Sequence, residues 1–275
     1  RNPKPAAALY ASQGEGTTVL TACTPMDIGD YPGGQIGDSA VLTNADSVRL
    51  YKNGNYVTTL RTGDYPGLPH PPMILDDIIG ELLETQEGFD EKKADLLRAC
   101  LLAVRKHGLA HLPPADLARM GVAMTKYGLT FADAQKLYGK YVGNWGGEAT
   151  VWRLDALKGG KVVSSVTLCP STKLHLEVTP SHTELTERDT YDMAAVRVRI
   201  LDEYGSPAPY AQLPVTFRLE GAAELVGPET AAAEGGMTGT YVRTTGQTGT
   251  AVLTVSTSQT EAVRIAFTVG RKPER

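Results

Sequence analysis

The carboxylates best placed for metal chemistry lie in a glycine-rich loop at 26–38, which reads MDIGDYPGGQIGD. Asp27, Asp30 and Asp38 supply oxygen ligands of the kind that calcium prefers. Their spacing lacks the alternate carboxylates and the closing Glu of an EF-hand loop, and the glycines match neither common phosphate-binding pattern. We therefore expect a surface loop with Asx-type turns and no metal site.

Paired carboxylates elsewhere would suit glycoside hydrolysis, which needs two carboxyl groups about 5 to 10 Å apart across a cleft. Glu81 with Glu84 and Asp76 with Asp77 are such pairs. Both pairs lie in a helical pattern, where carboxylates most often form the solvated face. There is no GxSxG elbow, and Cys100 lies in an apolar stripe where a thiol packs inertly. The sequence thus predicts no catalytic residue.

Zinc and disulfide chemistry are not predicted either. The cysteines are odd in number and widely spaced, without a CxxC pair or a histidine at ligand spacing. They are Cys23, Cys100 and Cys169. His107 and His111 lie four residues apart, but Gly108 between them places them across a helix end. We expect surface histidines, and neither a metal nor a cofactor.

Exposed aromatic rings are a different kind of binding group, because a flat ring stacks on the face of a pyranose. Tyr31 lies at the tip of the aspartate and glycine loop, and Trp145 lies in the segment GNWGGE. Trp152 alternates with Val151 in a strand pattern and is expected in the core. We predict Trp145 and Tyr31 as candidate carbohydrate contacts.

Composition and charge limit the class of protein and its partners. The chain has 275 residues, of which 41% are hydrophobic and 21% are charged, as in a soluble globular protein of two or more domains. A net charge of −4 without basic clusters excludes nucleic acid as a partner. No run approaches the roughly 20 apolar residues that span a bilayer, so no membrane partner is expected. Because the chain opens with Arg, we expect an excised fragment, with the compartment and oligomeric state undetermined.

The elements that position these residues fall into three zones. Residues 1–62 consist of short β-prone runs, and the pair Asn53-Gly54 predicts a type I′ hairpin turn with positive φ at both residues. Residues 63–144 change to a helical period and predict about four helices, one with a capping box formed by Thr130 and Asp133. Strands return over 145–172, where a Lys-Gly-Gly-Lys turn is predicted at 158–161.

The third zone, residues 173–275, alternates regularly between apolar and polar residues. Val196, Val198 and Ile200 face one way, and about seven such strands fit into roughly 100 residues. The predicted fold is mainly β with an α-helical insertion. It contains two immunoglobulin-like β-sandwiches, of which the first (1–62 plus 145–172) is interrupted by about four helices (63–144).

Five segments in order carry a resemblance to a known family. They are RNPKPAAALYASQ, LTNADSVRLYKNG, LKGGKVVSSVTL, AAVRVRILDEYGSPAPYAQLPVTFRLEGAAELVG and GGMTGTYVRTTGQTGTAVLTV. Together they resemble the C-terminal accessory region of family 2 glycoside hydrolases, in particular the β-galactosidase-like bacterial members. The resemblance covers about two thirds of the chain, and the helical stretch departs from it as an insertion.

The resemblance implies a non-catalytic fragment of an enzyme that hydrolyses β-glycosides in carbohydrate metabolism. Catalytic glutamates of the family lie in a barrel that no position here matches, so no catalytic residue is carried over. The implied partner is the missing catalytic barrel of the same polypeptide, and the fragment would contribute structure, oligomer contacts or glycan binding. Two alternatives stay open: an immunoglobulin-like segment of a bacterial surface or adhesion protein, and a helical segment that acts as an independent interaction module.

Overall fold

The chain forms two compact units, which are described separately. The residues that the computed structural model describes are 4–27, 36–63, 65–143, 149–170 and 173–271. The first unit is Pro3–Pro170, and the second is Ser171–Arg275 together with Arg1–Asn2. Each unit has a hydrophobic core of its own. The division lies two residues before the predicted start of the third zone at 173.

The first unit combines strands and helices. In chain order its elements are α1 (Pro5–Ala11), β1 (Leu20–Ala22), β2 (Ser39–Thr43), β3 (Ser47–Lys52), β4 (Asn55–Leu60), β5 (Met73–Leu75), α2 (Leu82–Glu87), α3 (Glu91–His107), α4 (Pro114–Tyr127), α5 (Phe131–Tyr138), β6 (Trp152–Lys158) and β7 (Lys161–Leu168). A 3-10 turn follows α3 at Leu109–His111, and a π-helical turn follows α5 at Gly139–Gly143. The strands form a three-stranded sheet in the order β1-β2-β5 and a four-stranded sheet in the order β4-β3-β6-β7.

Two predicted hairpin turns hold the four-stranded sheet in register. Asn53 and Gly54 have φ values of 48° and 80°, which confirms the prediction of positive φ at both positions. The Asn53 side chain also accepts a hydrogen bond of 2.8 Å from the backbone N–H of Val151, so the turn is tied to the start of β6. Gly159 and Gly160 have φ values of 57° and 76° in the second turn, between β6 and β7.

The four predicted helices are present as α2 to α5, although α2 begins only at Leu82, after β5. Asp90 caps α3 by accepting a hydrogen bond from the Lys93 N–H, and Gly108 ends the helix with φ 72°. The capping box of Thr130 and Asp133 is confirmed at the start of α5.

Two elements differ from the sequence predictions. The stretch from 63 to 144 was expected to be helical, but β5 lies inside it and pairs with β2. Pro71 and Pro72 disfavour a helix directly before β5, and Ile74 is exposed between the buried Met73 and Leu75, as in a strand. In the zone 1–62, where strands were expected, α1 forms because a proline lies at its first turn and alanines follow.

One hydrophobic core joins the sheets and the helices of the first unit. Leu50 of β3, Leu83 of α2 and Tyr141 of the π-helical turn all belong to it. Trp152 has no exposed surface, so its prediction as a core residue is confirmed. Gly80 lies so close to β4 that a Cβ atom there would be 1.8 Å from the Val57 carbonyl oxygen. The helices therefore pack into this unit and share its interior.

The second unit consists of two sheets around a shared core. Its strands are β8 (His175–Pro180), β9 (Glu184–Glu187), β10 (Met193–Leu201), β11 (Pro214–Gly221), β12 (Ala223–Val226), β13 (Thr230–Ala232), β14 (Met237–Thr244), β15 (Gly249–Ser256) and β16 (Val263–Arg271). One sheet has the order β12-β14-β10-β8 and the other β13-β11-β15-β16-β9. The predicted alternation in β10 is confirmed, since Val196, Val198 and Ile200 are buried.

Candidate functional site

The predicted sugar contacts fall outside the part of the chain that the structure describes. Both Trp145 and Tyr31 belong to such segments, and so does Asp30 of the glycine-rich loop. Their role therefore stays a prediction. Asp38, at the end of the same loop, is described, and it forms an ion pair of 3.2 Å with Arg105.

One carboxylate of each pair considered for catalysis makes structural contacts. Asp77 accepts hydrogen bonds from the backbone N–H groups of Ile79 at 2.9 Å and Gly80 at 2.8 Å. Arg98 donates to the Gly80 carbonyl at 2.9 Å and lies 3.8 Å from Asp77 and 3.7 Å from Glu84. Asp77 and Glu84 thus neutralise a guanidinium and hold the turn that precedes α2.

Arg105 joins α3 to the edge of the three-stranded sheet. Its Nε donates to the Ile36 carbonyl at 2.6 Å, and its Nη1 donates to the Asp76 carbonyl at 2.5 Å. Burial lowers the pKa of Arg105, while Asp38 and then Asp76 oppose this effect. Because guanidinium keeps its proton throughout the ordinary pH range, Arg105 is a permanent buried cation with backbone partners.

No metal centre is found in the described ranges. No group of three or more His, Cys, Asp or Glu side chains there is arranged to hold a metal ion. His107 and His111 are both exposed. Among the helices of the described residues, none is long and apolar enough to cross a membrane.

A buried lysine occupies the end of β3. Lys52 is 7% exposed, and its Nζ donates to the carbonyls of Lys140 at 3.0 Å and Tyr141 at 3.3 Å. The ammonium lies 5.3 Å from the ring centroid of Trp152 and 5.9 Å from that of Tyr141. Burial, reinforced by the positive charge of Lys140, lowers the pKa of Lys52 to about 8.

A second set of polar contacts fixes the π-helical turn to α2. The Tyr141 hydroxyl donates to Glu87 at 2.6 Å, and the Lys140 ammonium reaches the same oxygen at 2.5 Å. Burial raises the pKa of Tyr141, and the bond to Glu87 adds to that effect. Burial alone would raise the pKa of Glu87, but the hydrogen bonds from Lys140 and Tyr141 lower it below its ordinary value. Glu87 is therefore a charged acceptor at neutral pH.

Helices α3, α4 and α5 line an apolar cavity of about 330 Å³ that is open to solvent on one side. Leu101 and Ala123 line its buried part, and Leu109 and Phe131 lie at its exposed edge. Cys100 also lines the cavity, and burial raises the pKa of its thiol. Apolar side chains from three helices therefore surround this cavity.

Sequence reasoning missed both the lysine and the cavity. The alternation along β3 indicates that Lys52 is buried, because Val48, Leu50 and Lys52 share one face of the strand. The sequence indicates the cavity more weakly. The apolar residues Leu109 and Phe131 lie at helix ends, outside the apolar stripe of α3. The helical period alone did not predict that the apolar stripes leave a space between them.

Comparison with known proteins relates the second unit to one family. Residues 176–266 match the model of the glycoside hydrolase family 2 C-terminal domain 5. A beta-galactosidase of Thermoanaerobacter pseudethanolicus is 35% identical over 94 residues, which are 34% of this chain and 13% of that protein. Both matches cover about a third of this chain, and the residues matched by the family model lie in the second unit.

Solved structures are similar over nearly the whole chain. A beta-glycosidase from Bacteroides vulgatus has a TM-score of 0.58 at 15% identity, covering 97% of this chain and 27% of that one. A beta-glucuronidase from glycoside hydrolase family 2 has a TM-score of 0.57 at 13% identity, covering 99% and 22%. At these identities the likeness shows a shared fold. The chain spans about a quarter of the length of these structures, or less.

The matches confirm the resemblance to the C-terminal region of family 2 glycoside hydrolases that the five sequence segments indicated. The alternative of a surface or adhesion protein is not favoured by them.

Proposed function

We propose that this chain is a non-catalytic C-terminal accessory part of a family 2 glycoside hydrolase. The observation that carries the proposal is the match of residues 176–266 to a C-terminal domain of that family. The intact protein would hydrolyse β-glycosides in carbohydrate metabolism, in the manner of a β-galactosidase. Its catalytic barrel, on the same polypeptide, is the partner that we propose for this chain.

We propose an immunoglobulin-like architecture for the second unit, and its strand order supports this proposal. The strand β8 pairs with β10 in one sheet, whereas β9, next in the chain, joins the other sheet by pairing parallel to β16. Two successive first strands that join different sheets, both mainly antiparallel, are compatible with an immunoglobulin-like sandwich. We propose the same class for the first unit, in which three and four strands enclose the core that contains Trp152.

The contacts of the carboxylates support a non-catalytic role. Retaining hydrolysis needs two carboxyl groups about 5 Å apart, one of them free to attack the sugar. Asp77 is instead held by Arg98 and by backbone N–H groups, and Glu84 forms an ion pair with the same Arg98. Stable modules of this kind contribute structure, oligomer contacts or glycan binding to the intact enzyme.

The experiment is an activity assay of the 275-residue chain on aryl β-galactosides and β-glucuronides. We expect no turnover at any pH, and a second independent preparation controls for a contaminating host hydrolase. Turnover that both preparations share and that Glu84→Gln abolishes in a variant of unchanged melting temperature would refute the accessory role. The coding sequence upstream of residue 1 gives a separate test, since a barrel there is expected.

The glycan contact proposed for Trp145 and Tyr31 has a test of its own. Mobility of the chain in gels that contain a soluble β-glycan should be retarded by binding. Trp145→Ala and Tyr31→Ala are expected to restore mobility, whereas Tyr10→Ala, which removes an exposed ring on α1, should not. Equal retardation of all three variants would remove both residues from the proposed site.

A further inference from the structure

The cavity between α3, α4 and α5 has the size and depth of a small-molecule site. Its volume is about 330 Å³, and Ala123 and Leu101 in its interior are only 2% and 6% exposed. Phe131 and Leu109 at its edge are 59% and 52% exposed. A space that runs from exposed apolar side chains to a buried apolar floor offers a ligand both an entrance and a dry interior.

We propose that this cavity binds a small neutral aromatic molecule of one or two rings. A dry apolar cavity of about 150 Å³ suffices for benzene, so a space of roughly twice that volume accommodates a fused two-ring compound. Its volume also falls at the lower end of the range of ligand pockets.

The lining selects against charge. Among the described residues that line the cavity, none carries a charge at neutral pH. Its polar side chains include the Gln135 amide, the Tyr138 hydroxyl and the Cys100 thiol. Burial raises the pKa of Tyr138 and of Cys100, so both stay protonated at pH 7. An ionic ligand would lose its hydration there without a charged side chain in the lining to replace it, which is unfavourable.

The same lining favours an aromatic ligand. Met120 and Met124 from α4 contribute thioethers, which adapt to irregular shapes and make favourable contacts with ring edges. Phe131 offers a ring for stacking or edge-to-face packing at the mouth. A two-ring ligand would thus contact sulfur and aromatic carbon while it covers exposed Phe131 and Leu109.

Calorimetric titration of the 275-residue chain with 2-naphthol at pH 7 tests the proposal. The phenol is neutral at this pH, and 2-naphthalenesulfonate is its charged counterpart of the same ring size. We expect saturable binding of 2-naphthol and binding of the sulfonate that is weaker by about tenfold or more. Absence of 2-naphthol binding up to its solubility limit, or equal binding of both compounds, would overturn the proposal.

Two neighbouring substitutions on α4 locate the site. Ala123→Leu places three more carbons in the cavity and should weaken 2-naphthol binding by about tenfold or more. Val122→Leu adds one carbon at the adjacent, 55% exposed position and should leave binding unchanged. Unaltered binding by an Ala123→Leu variant with wild-type melting behaviour would contradict the assignment.

Protection of cysteines gives a readout that needs no substitution. Saturating 2-naphthol should slow the alkylation of Cys100 by iodoacetamide severalfold and leave that of the exposed Cys23 unchanged. If Ala123→Leu fails to fold, the alkylation rate of Cys100 alone tests whether 2-naphthol binds in the cavity. Equal alkylation rates of Cys100 with and without 2-naphthol would then refute a site in the cavity.

Discussion

Lys52 is a charged residue in the interior of the first unit, where its ammonium donates hydrogen bonds to backbone carbonyls. Its ammonium satisfies two carbonyls of the π-helical turn, at Lys140 and Tyr141. Buried carbonyls without a donor are costly, and an ammonium between two aromatic rings gains cation–π attraction. The opposing cost is desolvation of the charge, which is the main reason why the pKa of Lys52 falls to about 8.

The lowered pKa of Lys52 predicts a stability that rises with pH. Below pH 8 Lys52 is charged in both the folded and the unfolded chain and contributes no pH dependence. Between pH 8 and about 10.5 the unfolded chain binds more protons than the folded one, so the free energy of unfolding increases. We expect Lys52 to contribute up to about 3 kcal/mol over this interval.

Urea unfolding of the wild type and of Lys52→Met, followed from pH 7.5 to 10.5, measures this contribution. The difference between the two proteins cancels the titration of the lysines and tyrosines that do not interact with Lys52. The stability of the wild type relative to Lys52→Met should increase across the interval. A relative stability that stays flat or decreases would show that the ammonium is not desolvated.

Gly54 provides a second prediction at the residue scale. Its φ is 80° and a Cβ atom would meet nothing within 4 Å, so any cost of a side chain comes from backbone strain alone. We expect Gly54→Val to lower the free energy of unfolding of the first unit by about 1 kcal/mol or more, measured by urea unfolding. Gly54→Asn is the matched control and should cost less, because Asn tolerates the left-handed region.

Residues with a strong local preference were the predictable ones. Asn53-Gly54 and the Thr130 capping box depend on neighbours in sequence, so the chain alone indicated them. The burial of Lys52 was harder to predict from the sequence, because it depends on carbonyls that lie 88 and 89 positions away in the chain. Long-range partners of this kind leave only a trace in the sequence, here the alternation along β3.

At the scale of elements, the type of helices α2 to α5 and of most strands followed from the hydrophobic period. The boundaries failed where short elements have little periodicity. Three residues of β5 cannot establish an alternation, and the run MILDDIIGELLETQ, which begins with β5, has a helical spacing. Pairing with β2 supplies the stabilisation that local sequence does not, so tertiary contacts decided the state of this segment.

Close packing of the turn before α2 against β4 predicts that one added methyl group will lower the free energy of unfolding strongly. A Cβ on Gly80 would be 1.8 Å from the Val57 carbonyl oxygen, and the φ of Gly80 is 46°. Gly80→Ala must displace β4 or the turn before α2, because backbone atoms cannot yield as a side chain does. We expect a loss of about 2 kcal/mol or more in the free energy of unfolding.

Gly121→Ala is the control for Gly80→Ala. Gly121 is exposed in the middle of α4, and a Cβ there would have nothing within 4 Å. Alanine should stabilise that helix by roughly 0.5 to 1 kcal/mol in the same urea measurement. If both variants changed stability equally, the close packing of the turn against β4 would be contradicted.

At the scale of the whole molecule, each unit has the interior that a domain needs. The second unit buries the rings of Phe217 and Phe267 together with the aliphatic face of β10 in a core of its own. The first unit shares one core between two sheets and the helices, and for that reason its helices are not an appendage of a finished sandwich. Sequence periodicity located both zones, but it could not show that helices and sheets in the first one share a single interior.

Residues 173–275 are therefore expected to fold without the rest of the chain. Two sheets already cover both faces of the core, and roughly 100 residues is an ordinary size for such a fold. The fragment should show one cooperative thermal transition by circular dichroism.

Two neighbouring substitutions on β11 test the core of this fragment. Phe217→Ala, which leaves a space in that core, should lower the free energy of unfolding of the fragment by about 3 kcal/mol or more. Arg218→Ala alters the next residue, exposed on β11, and should change it by less than about 0.5 kcal/mol. A fragment without a cooperative transition, while the 275-residue chain shows one, would mean that the core of the second unit requires contacts from the first.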